Sequence, residues 1–161
     1  MRKKLYFCRE IERAMMNLKF QWAKPDKRST ESRQGAKEIG VQGEQMAARW
    51  LEGQGYTVIE KNYRYGHHEI DLVATEGSDL VIVEVKTRTD TSFGNPEEAV
   101  DSKKRKILVN LANRYVKRHR WQGDTRFDIV AITIHDNQPV FKLIKNAFNI
   151  FSYRSADTPF H

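Results

Sequence analysis

Three carboxylates and a lysine lie near the two ends of EIDLVATEGSDLVIVEVK, residues 69–86, which is one of the most apolar segments of the chain. Glu69 and Asp71 lie near its start, and Glu84 and Lys86 lie at its end. A segment this apolar predicts burial, and buried carboxylates need a proton or a cation to offset their charge. These residue types therefore favour a divalent-metal site with a lysine beside it.

The turn Gly77-Ser78 divides this segment into two strands, because glycine readily takes the positive φ that two-residue hairpin turns require. With that turn, Asp71 lies opposite Glu84 and Glu69 lies opposite Lys86. Opposed side chains share one face of a hairpin, with Cβ atoms roughly 5 Å apart. We therefore expect the four charged groups to converge at the open end of the hairpin. The other face, which we expect to be buried, carries Ile70, Leu72, Val83 and Val85.

Phosphodiester hydrolysis is the chemistry that such a convergence favours. Opposed carboxylates suit Mg²⁺ or Mn²⁺, which take one or two carboxylates and complete their shells with water and phosphate oxygens. Such an ion lowers the pKa of a bound water and offsets charge on the phosphorus centre, and Lys86 would contact the scissile phosphate or orient the attacking water. The alternative from spacing alone is a salt-bridge ladder, Glu69 with Lys86, at an exposed sheet edge.

The composition indicates a protein of one domain with a basic N-terminal arm. The net charge is +7, and most of the excess lies in residues 1–39, which we expect to be a disordered arm. Residues 40–151 would form the domain and 152–161 a flexible tail. Cys8 is the only cysteine, so neither an internal disulfide nor a cysteine zinc site is expected. No apolar run approaches the length of a membrane span, and we expect a cytoplasmic protein with no membrane partner.

The elements that must position the charged hairpin follow the order α-β-β-β-α-β-β. Apolar periodicity predicts a helix over 44–52, a strand over 56–63, the hairpin, a helix over 97–119 after the turn Phe93-Gly94-Asn95-Pro96, and strands over 126–134 and 139–145. This order indicates an α/β fold, a mixed β-sheet flanked by helices. We also expect Ala147, Phe148 and Phe151 to cap the core.

The second predicted helix carries a basic surface. Eight basic residues and no acidic one occur between Ser102 and Gly123. Such residues add sequence-independent, salt-sensitive affinity for nucleic acid, although a charge run is often only a solvated face. Arg88 shares the face of Lys86 and is a further candidate phosphate contact. The candidate nucleic-acid contacts are Arg88, Lys103, Lys106, Arg114, Lys117 and Arg118.

Three residues near the predicted site have two interpretations each. His67 and His68 precede the hairpin, and because adjacent residues of an extended chain point opposite ways, at most one of them faces the site. Each is either a ligand for metal or phosphate or a plain loop histidine. Tyr65 is either a platform on which a base stacks or an ordinary surface aromatic.

Asp128 lies between Phe127 and Ile129 on a predicted strand. It is expected to be structural rather than catalytic.

Five segments in order resemble the bacterial YraN-like family. They are GVQGEQMAARWLEGQGY, EIDLVA, VEVKTRT, FGNPEEAV and RFDIVAI, within residues 40–148. Asp71 followed by Glu84-Val85-Lys86 also resembles the PD-(D/E)xK nuclease signature, with Ile70 in place of its proline. The family pattern Gly-Glu-Ile-Asp has His68 in place of its glycine. This family is grouped with restriction-endonuclease-like and Holliday-junction-resolvase-like proteins.

The resemblance implies a restriction-endonuclease-like fold and a set of site residues. Asp71 and Glu84 would be metal ligands and Lys86 the catalytic lysine, with Glu44 as a further metal ligand and Glu69 either completing the metal shell or holding Lys86. For Glu44 the alternative is an exposed glutamate favoured by the helix dipole. The implied function is a Mg²⁺- or Mn²⁺-dependent endonuclease acting on DNA, including branched or single-stranded DNA. The alternative is a nucleic-acid-binding module of the same fold that does not cleave. A homodimer and a protein partner needed for activity both stay open.

Overall fold

The computed structural model describes residues 30–88, 100–135 and 138–148, with side chains from Gly35 onward. The elements follow the predicted order α-β-β-β-α-β-β. They are α1 (Thr30–Gly53), β1 (Thr57–Tyr65), β2 (His68–Glu76), β3 (Asp79–Arg88), α2 (Ser102–His119), β4 (Thr125–His135) and β5 (Gln138–Phe148). The predicted α/β class, a mixed sheet flanked by helices, is confirmed.

The five strands form one mixed sheet in the order β1-β2-β3-β4-β5. Strands β1, β2 and β3 are antiparallel neighbours, β3 and β4 are parallel, and β4 and β5 are antiparallel. The parallel pair needs a crossover connection, and α2 provides it. This crossover brings the start of α2 back toward the end of β3, where the charged residues of the hairpin lie.

Each helix covers one face of the sheet with its own apolar core. Helix α1 packs Met46, Ala47, Ala48 and Leu51 against one face. Helix α2 packs against the other face. Its buried residues are Leu108, Leu111, Ala112 and Tyr115. The charged hairpin therefore lies in the middle of a three-layer sandwich, and two of its carboxylates, Asp71 and Glu84, are removed from bulk water.

The first helix begins at Thr30, whereas the sequence predicted a start near residue 44. Residues 30–39, expected to be part of a disordered arm, are therefore helical, and Ile39 is buried against the core. The predicted start was wrong because Gly35, Gly40 and Gly43 each disfavour a helix by about 1 kcal/mol relative to alanine. The packing of Ile39 against the core offsets this cost, and local sequence does not show such a tertiary contact. Residues 1–29 lie outside the described residues.

The other predicted bounds differ by a few residues. Helix α2 begins at Ser102 rather than at 97, because the Asp101 side chain caps it by accepting from the Lys104 amide (2.7 Å). Strand β1 runs on to Tyr65, which shortens the predicted connection to a tight turn. Phe148 does join the core, where it stacks on Phe127 (ring centroids 4.6 Å apart). The predicted turn at 93–96, Phe151 and the tail 152–161 lie outside the described residues.

Gly43 brings α1 close to β3, next to the charged end of the hairpin. A Cβ at this position would collide with the Thr87 hydroxyl, whereas one at Gly40 would meet no atom within 4 Å. We expect Gly43→Ala to lower the free energy of unfolding by roughly 1–3 kcal/mol through overpacking. Gly40→Ala, the matched control, should raise it by up to about 1 kcal/mol through helix propensity. Urea denaturation measures both, and equal effects of the two variants would contradict this close approach.

Among the described helices, none combines the length and apolar character needed to cross a membrane.

Candidate active site

The charged end of the hairpin is where β2 and β3 separate. Their paired register confirms the turn at Gly77-Ser78 but ends at Leu72 and Val83. Beyond that point β2 continues beside β1, so that Glu69 pairs with Arg64. Strand β3 continues beside β4, so that Lys86 pairs with Ala131. The predicted pairing of Asp71 with Glu84 and of Glu69 with Lys86 is therefore wrong in its details.

The divergence has a local cause in β2. Strict alternation would put Ile70 on the same face as Leu72, as predicted. Instead Leu72 packs in the core under α1 and Ile70 in the core under α2, so the alternation breaks at Asp71. Across the β1–β2 pair, Asn62 has the left-handed conformation (φ 53°), which asparagine tolerates better than most residues. Asn62 and Asp71 lie between the pairs Lys61–Leu72 and Tyr63–Ile70, and the Asp71 carboxylate meets β3 at the Val85 amide.

Asp71 and Glu84 come together in this gap. Their exposed fractions are only 7% and 2%, and the Val85 amide donates a hydrogen bond to Asp71 Oδ2 (2.7 Å). The pKa of Asp71 is raised to about 7, mainly by burial, then by the charge of Glu84 and to a smaller extent by that of Glu44, while the Val85 hydrogen bond opposes the rise. The predicted convergence of these two carboxylates is thus present, although strand divergence rather than cross-strand pairing produces it.

Two ammonium groups contact the Glu84 carboxylate. Lys86 Nζ lies 2.6 Å from Oε1, and Lys104 Nζ lies 3.1 Å from Oε2. Lys86 was predicted at this site, and Lys104 was not. Its neighbours Lys103 and Lys106 were predicted to contact nucleic acid, and Lys104 belongs to the same basic run. Spacing carries no signal for Lys104, because only the crossover through α2 brings it to the end of β3.

Glu44 approaches the pair from α1 and is held by β1. The Asn62 side-chain amide donates a hydrogen bond to Glu44 Oε2 (2.7 Å). Asn62 therefore combines an unusual backbone conformation with a side chain that holds this third carboxylate. Sequence reasoning missed Asn62. Its signal would have been an asparagine in a strand, a residue type that strands disfavour.

Glu69 lies at the rim of the site instead of opposite Lys86. It is ion-paired with Arg64 (Nε to Oε2, 2.9 Å), and both side chains are exposed to solvent. Exposed pairs of this kind contribute little to stability. Glu69 therefore stays a predicted metal ligand only through the family resemblance.

The donor set fits a hard divalent cation held by few protein ligands. Within the described residues, no group of three or more His, Cys, Asp or Glu side chains is arranged to hold a metal ion. Asp71 and Glu84 form a pair, however, and Mg²⁺ usually binds through one or two carboxylates plus water and phosphate oxygens. Glu84 Oε2 is buried and has no hydrogen-bond partner among the described residues, since its contact with Lys104 is an ion pair without hydrogen-bond geometry. This acceptor is suited to a cation.

The predicted basic surface lies on the outer side of α2. Its five members on that helix are exposed, and Arg88 is exposed at the end of β3. The five are Lys103, Lys106, Arg114, Lys117 and Arg118. Arg114 stacks its guanidinium over the half-exposed ring of Tyr65, 3.4 Å from the centroid. Arg114 and Tyr65, predicted separately, thus form one unit at the end of β1.

The fold and this site together define the class of protein. A mixed sheet with a helix on each face, and an Asp…Glu-x-Lys set where two strands diverge, is a restriction-endonuclease-like fold. A family model described as "Uncharacterised protein family UPF0102" matches residues 43–132. The chain belongs to this family, which confirms the resemblance to YraN-like proteins.

Curated relatives support the same assignment. A UPF0102 protein of Bacteroides thetaiotaomicron is 43% identical over 111 residues, which is 69% of this chain and 92% of the relative. One of Cytophaga hutchinsonii is 47% identical over 94 residues, 58% of this chain and 83% of the relative. Among solved structures, SfsA of Pyrococcus furiosus in complex with Ca²⁺ covers 70% of this chain and 60% of its own at 9% identity. Its TM-score of 0.26 is too low to carry an argument.

Proposed function

We propose that this protein is a divalent-metal-dependent endonuclease that hydrolyses phosphodiester bonds of DNA, including branched or single-stranded DNA. The observation that carries the proposal is the buried pair Asp71 and Glu84 with Lys86 Nζ 2.6 Å from Glu84. Adjacent buried carboxylates destabilise a fold unless they serve a cation or a proton. A protein that needed only a stable sheet would gain nothing from them.

Each residue of the set has a role in this reaction. Asp71 and Glu84 would hold Mg²⁺ or Mn²⁺, with Glu44, whose charge also acts on Asp71, as a further ligand. When bound, such an ion supplies a water of lowered pKa and offsets charge on the phosphate. Lys86 contacts the scissile phosphate or orients the attacking water, and its ion pair with Glu84 fixes the position of its ammonium group. The exposed cations of α2 attract the nucleic-acid backbone without reading its sequence.

The second candidate function is a nucleic-acid-binding module of the same fold that does not cleave and that works with a protein partner. One observation favours it. Lys86 and Lys104 already contact the two oxygens of Glu84, so the carboxylate is neutralised without a metal ion. In the module, the two lysines would be permanent partners of Glu84, and Asp71, with a pKa of about 7, would be protonated below neutral pH.

A cleavage assay on a substrate panel tests the proposal. Wild type and Asp71→Ala, purified in parallel, are incubated with Mn²⁺ or Mg²⁺ and with duplex, single-stranded, flapped and four-way-junction DNA, and with RNA. We expect wild type to cleave at least one DNA and Asp71→Ala to lose at least about 100-fold in rate, since the loss of one transition-state stabilising group typically costs this much. EDTA should abolish the wild-type activity.

The matched control is Asp124→Ala, an exposed aspartate just before β4, at the end of the sheet away from the site. It should cleave as wild type does. Equal cleavage by Asp71→Ala and wild type would identify a contaminating nuclease. Absence of cleavage in every preparation, with DNA binding retained, would replace the endonuclease with the binding module.

A further inference from the structure

A polar cleft adjoins the carboxylate pair on the side of α2. Its volume is about 490 Å³. Its lining comes from the β1–β2 turn and the first two turns of α2, and consists of Arg64, Gly66, His67, His68, Glu69, Lys104 and Ile107. Neither the carboxylate chemistry nor the exposed basic face of α2 accounts for this lining.

Lys104 joins this cleft to the candidate active site. Its ammonium group lies 3.1 Å from Glu84 Oε2, while the same side chain forms part of the cleft wall. About 30% of the side chain is exposed, so it is accessible to a ligand. A group bound in the cleft and contacting Lys104 would therefore lie next to the proposed cleavage site.

The lining favours an anion. Arg64 uses only Nε in its pair with Glu69, and a guanidinium has four further N–H groups to offer. Both histidines can donate N–H bonds, and the turn between β1 and β2 contributes backbone at Gly66. Glu69 offsets the charge of Arg64, whereas Lys104 and Lys86 share the single carboxylate of Glu84, so the two lysines exceed that carboxylate by one positive charge.

Building on the proposed function, we propose that this cleft binds a phosphate group of the nucleic-acid strand next to the scissile one, and that Lys104 contacts it. Lys104 then has two functions. It neutralises Glu84 in the free protein, and it positions the strand when the substrate is bound. The cleft thus sets the direction in which the strand leaves the active site, along the β1–β2 turn toward the stacked Tyr65 and Arg114.

Binding of a fluorescein-labelled single-stranded DNA decamer to the full chain in EDTA tests the cleft without any cleavage. Fluorescence anisotropy gives Kd over a range of salt concentrations. We expect Lys104→Met to weaken binding on the order of 10-fold at low salt, and to reduce the slope of log K against log salt by about 0.7, the value for one phosphate on a single strand. Lys104→Arg should keep the wild-type slope. Lys37→Met removes an exposed lysine on α1, across the sheet, and should change neither quantity.

A double-mutant cycle separates contact from simple charge balance. If Lys104 acts only by neutralising Glu84, its replacement will have no effect in a Glu84→Gln background. If Lys104 contacts the phosphate, the loss in affinity will persist there. Arg64→Met, an exposed position in the same cleft, should also weaken binding, while the exposed Arg49→Met on α1 should not.

Three results would overturn the proposal. These are wild-type affinity and slope in Lys104→Met, an effect of Lys104→Met that vanishes with Glu84→Gln, or no binding of the decamer by wild type at low salt. The endonuclease proposal is tested separately by cleavage with metal. A protein that binds through the cleft but never cuts would keep this inference and reject the endonuclease.

Discussion

Replacing Asp71 with asparagine is expected to stabilise the protein at pH 8 in the absence of metal, even though it removes the proposed cleavage. The pKa of Asp71 is raised to about 7 in the fold, mainly by burial and then by the charge of Glu84, from a usual value near 3.8. Between these two values the folded state keeps a proton that the unfolded chain releases. The free energy of unfolding of wild type therefore falls as pH rises from about 4 to about 7.

Asparagine carries no such proton and keeps an oxygen that can accept from the Val85 amide. One unit of pKa difference corresponds to about 1.4 kcal/mol. We therefore expect Asp71→Asn to exceed wild type in stability by on the order of 2 kcal/mol or more at pH 8, and by much less at pH 5. Urea denaturation in EDTA at both pH values measures the difference.

Glu84→Gln provides the control for this effect. Removing the neighbouring charge should reduce the stabilisation by Asp71→Asn without abolishing it, because burial is the larger cause. Unfolding free energies of wild type and Asp71→Asn that run parallel from pH 5 to pH 8 would show that Asp71 does not hold a proton in the fold. Such a result would also remove the argument that the carboxylate pair is costly in the absence of a cation.

The largest loss of stability is expected on the other face of the sheet, at Asp128. Its side chain is fully buried and accepts hydrogen bonds from the Tyr56 hydroxyl (3.0 Å), Arg126 Nε (3.2 Å) and the Asn146 amide (2.9 Å). Asp128→Ala would leave these three donors without their acceptor. Breaking a buried ion pair in this way typically costs about 3–5 kcal/mol, and we expect a loss of this size in urea denaturation.

Asp79→Asn is the matched control, since Asp79 contacts the same arginine (Arg126 Nη1, 3.1 Å) but is more than one-third exposed. Such a pair contributes at most about 1 kcal/mol. If both variants cost the same, the burial of Asp128 would not be the source of its effect. Asp128→Ala should leave the contacts of Glu84 with Lys86 and Lys104 intact, because Asp128 bonds Tyr56 in the core under α1 whereas Glu84 contacts α2.

The part of the candidate site that the types of its residues reveal was predictable from the sequence. Asp71, Glu84 and Lys86 were found because charged residues in an apolar hairpin are costly and therefore conspicuous. Lys104 could not be told apart from the other basic residues of its run. Only its contact with Glu84 sets it apart, and that contact depends on the crossover through α2. Asn62 was missed because its φ of 53° and its bond to Glu44 are consequences of strand irregularity, which periodicity does not encode.

The sequence by itself determined the order of elements, the turn of the hairpin and the carboxylates that share its open end. These follow from local rules, namely apolar periodicity, the conformational freedom of glycine in a turn and the cost of charge in a core. Only the tertiary structure decided how the carboxylates meet, since Asp71 reaches β3 through the break in β2 and not through the regular register. It also decided which lysine of α2 contacts Glu84 and that residues 30–39 are helical. Both depend on contacts between segments far apart in the chain, and such contacts override local propensity.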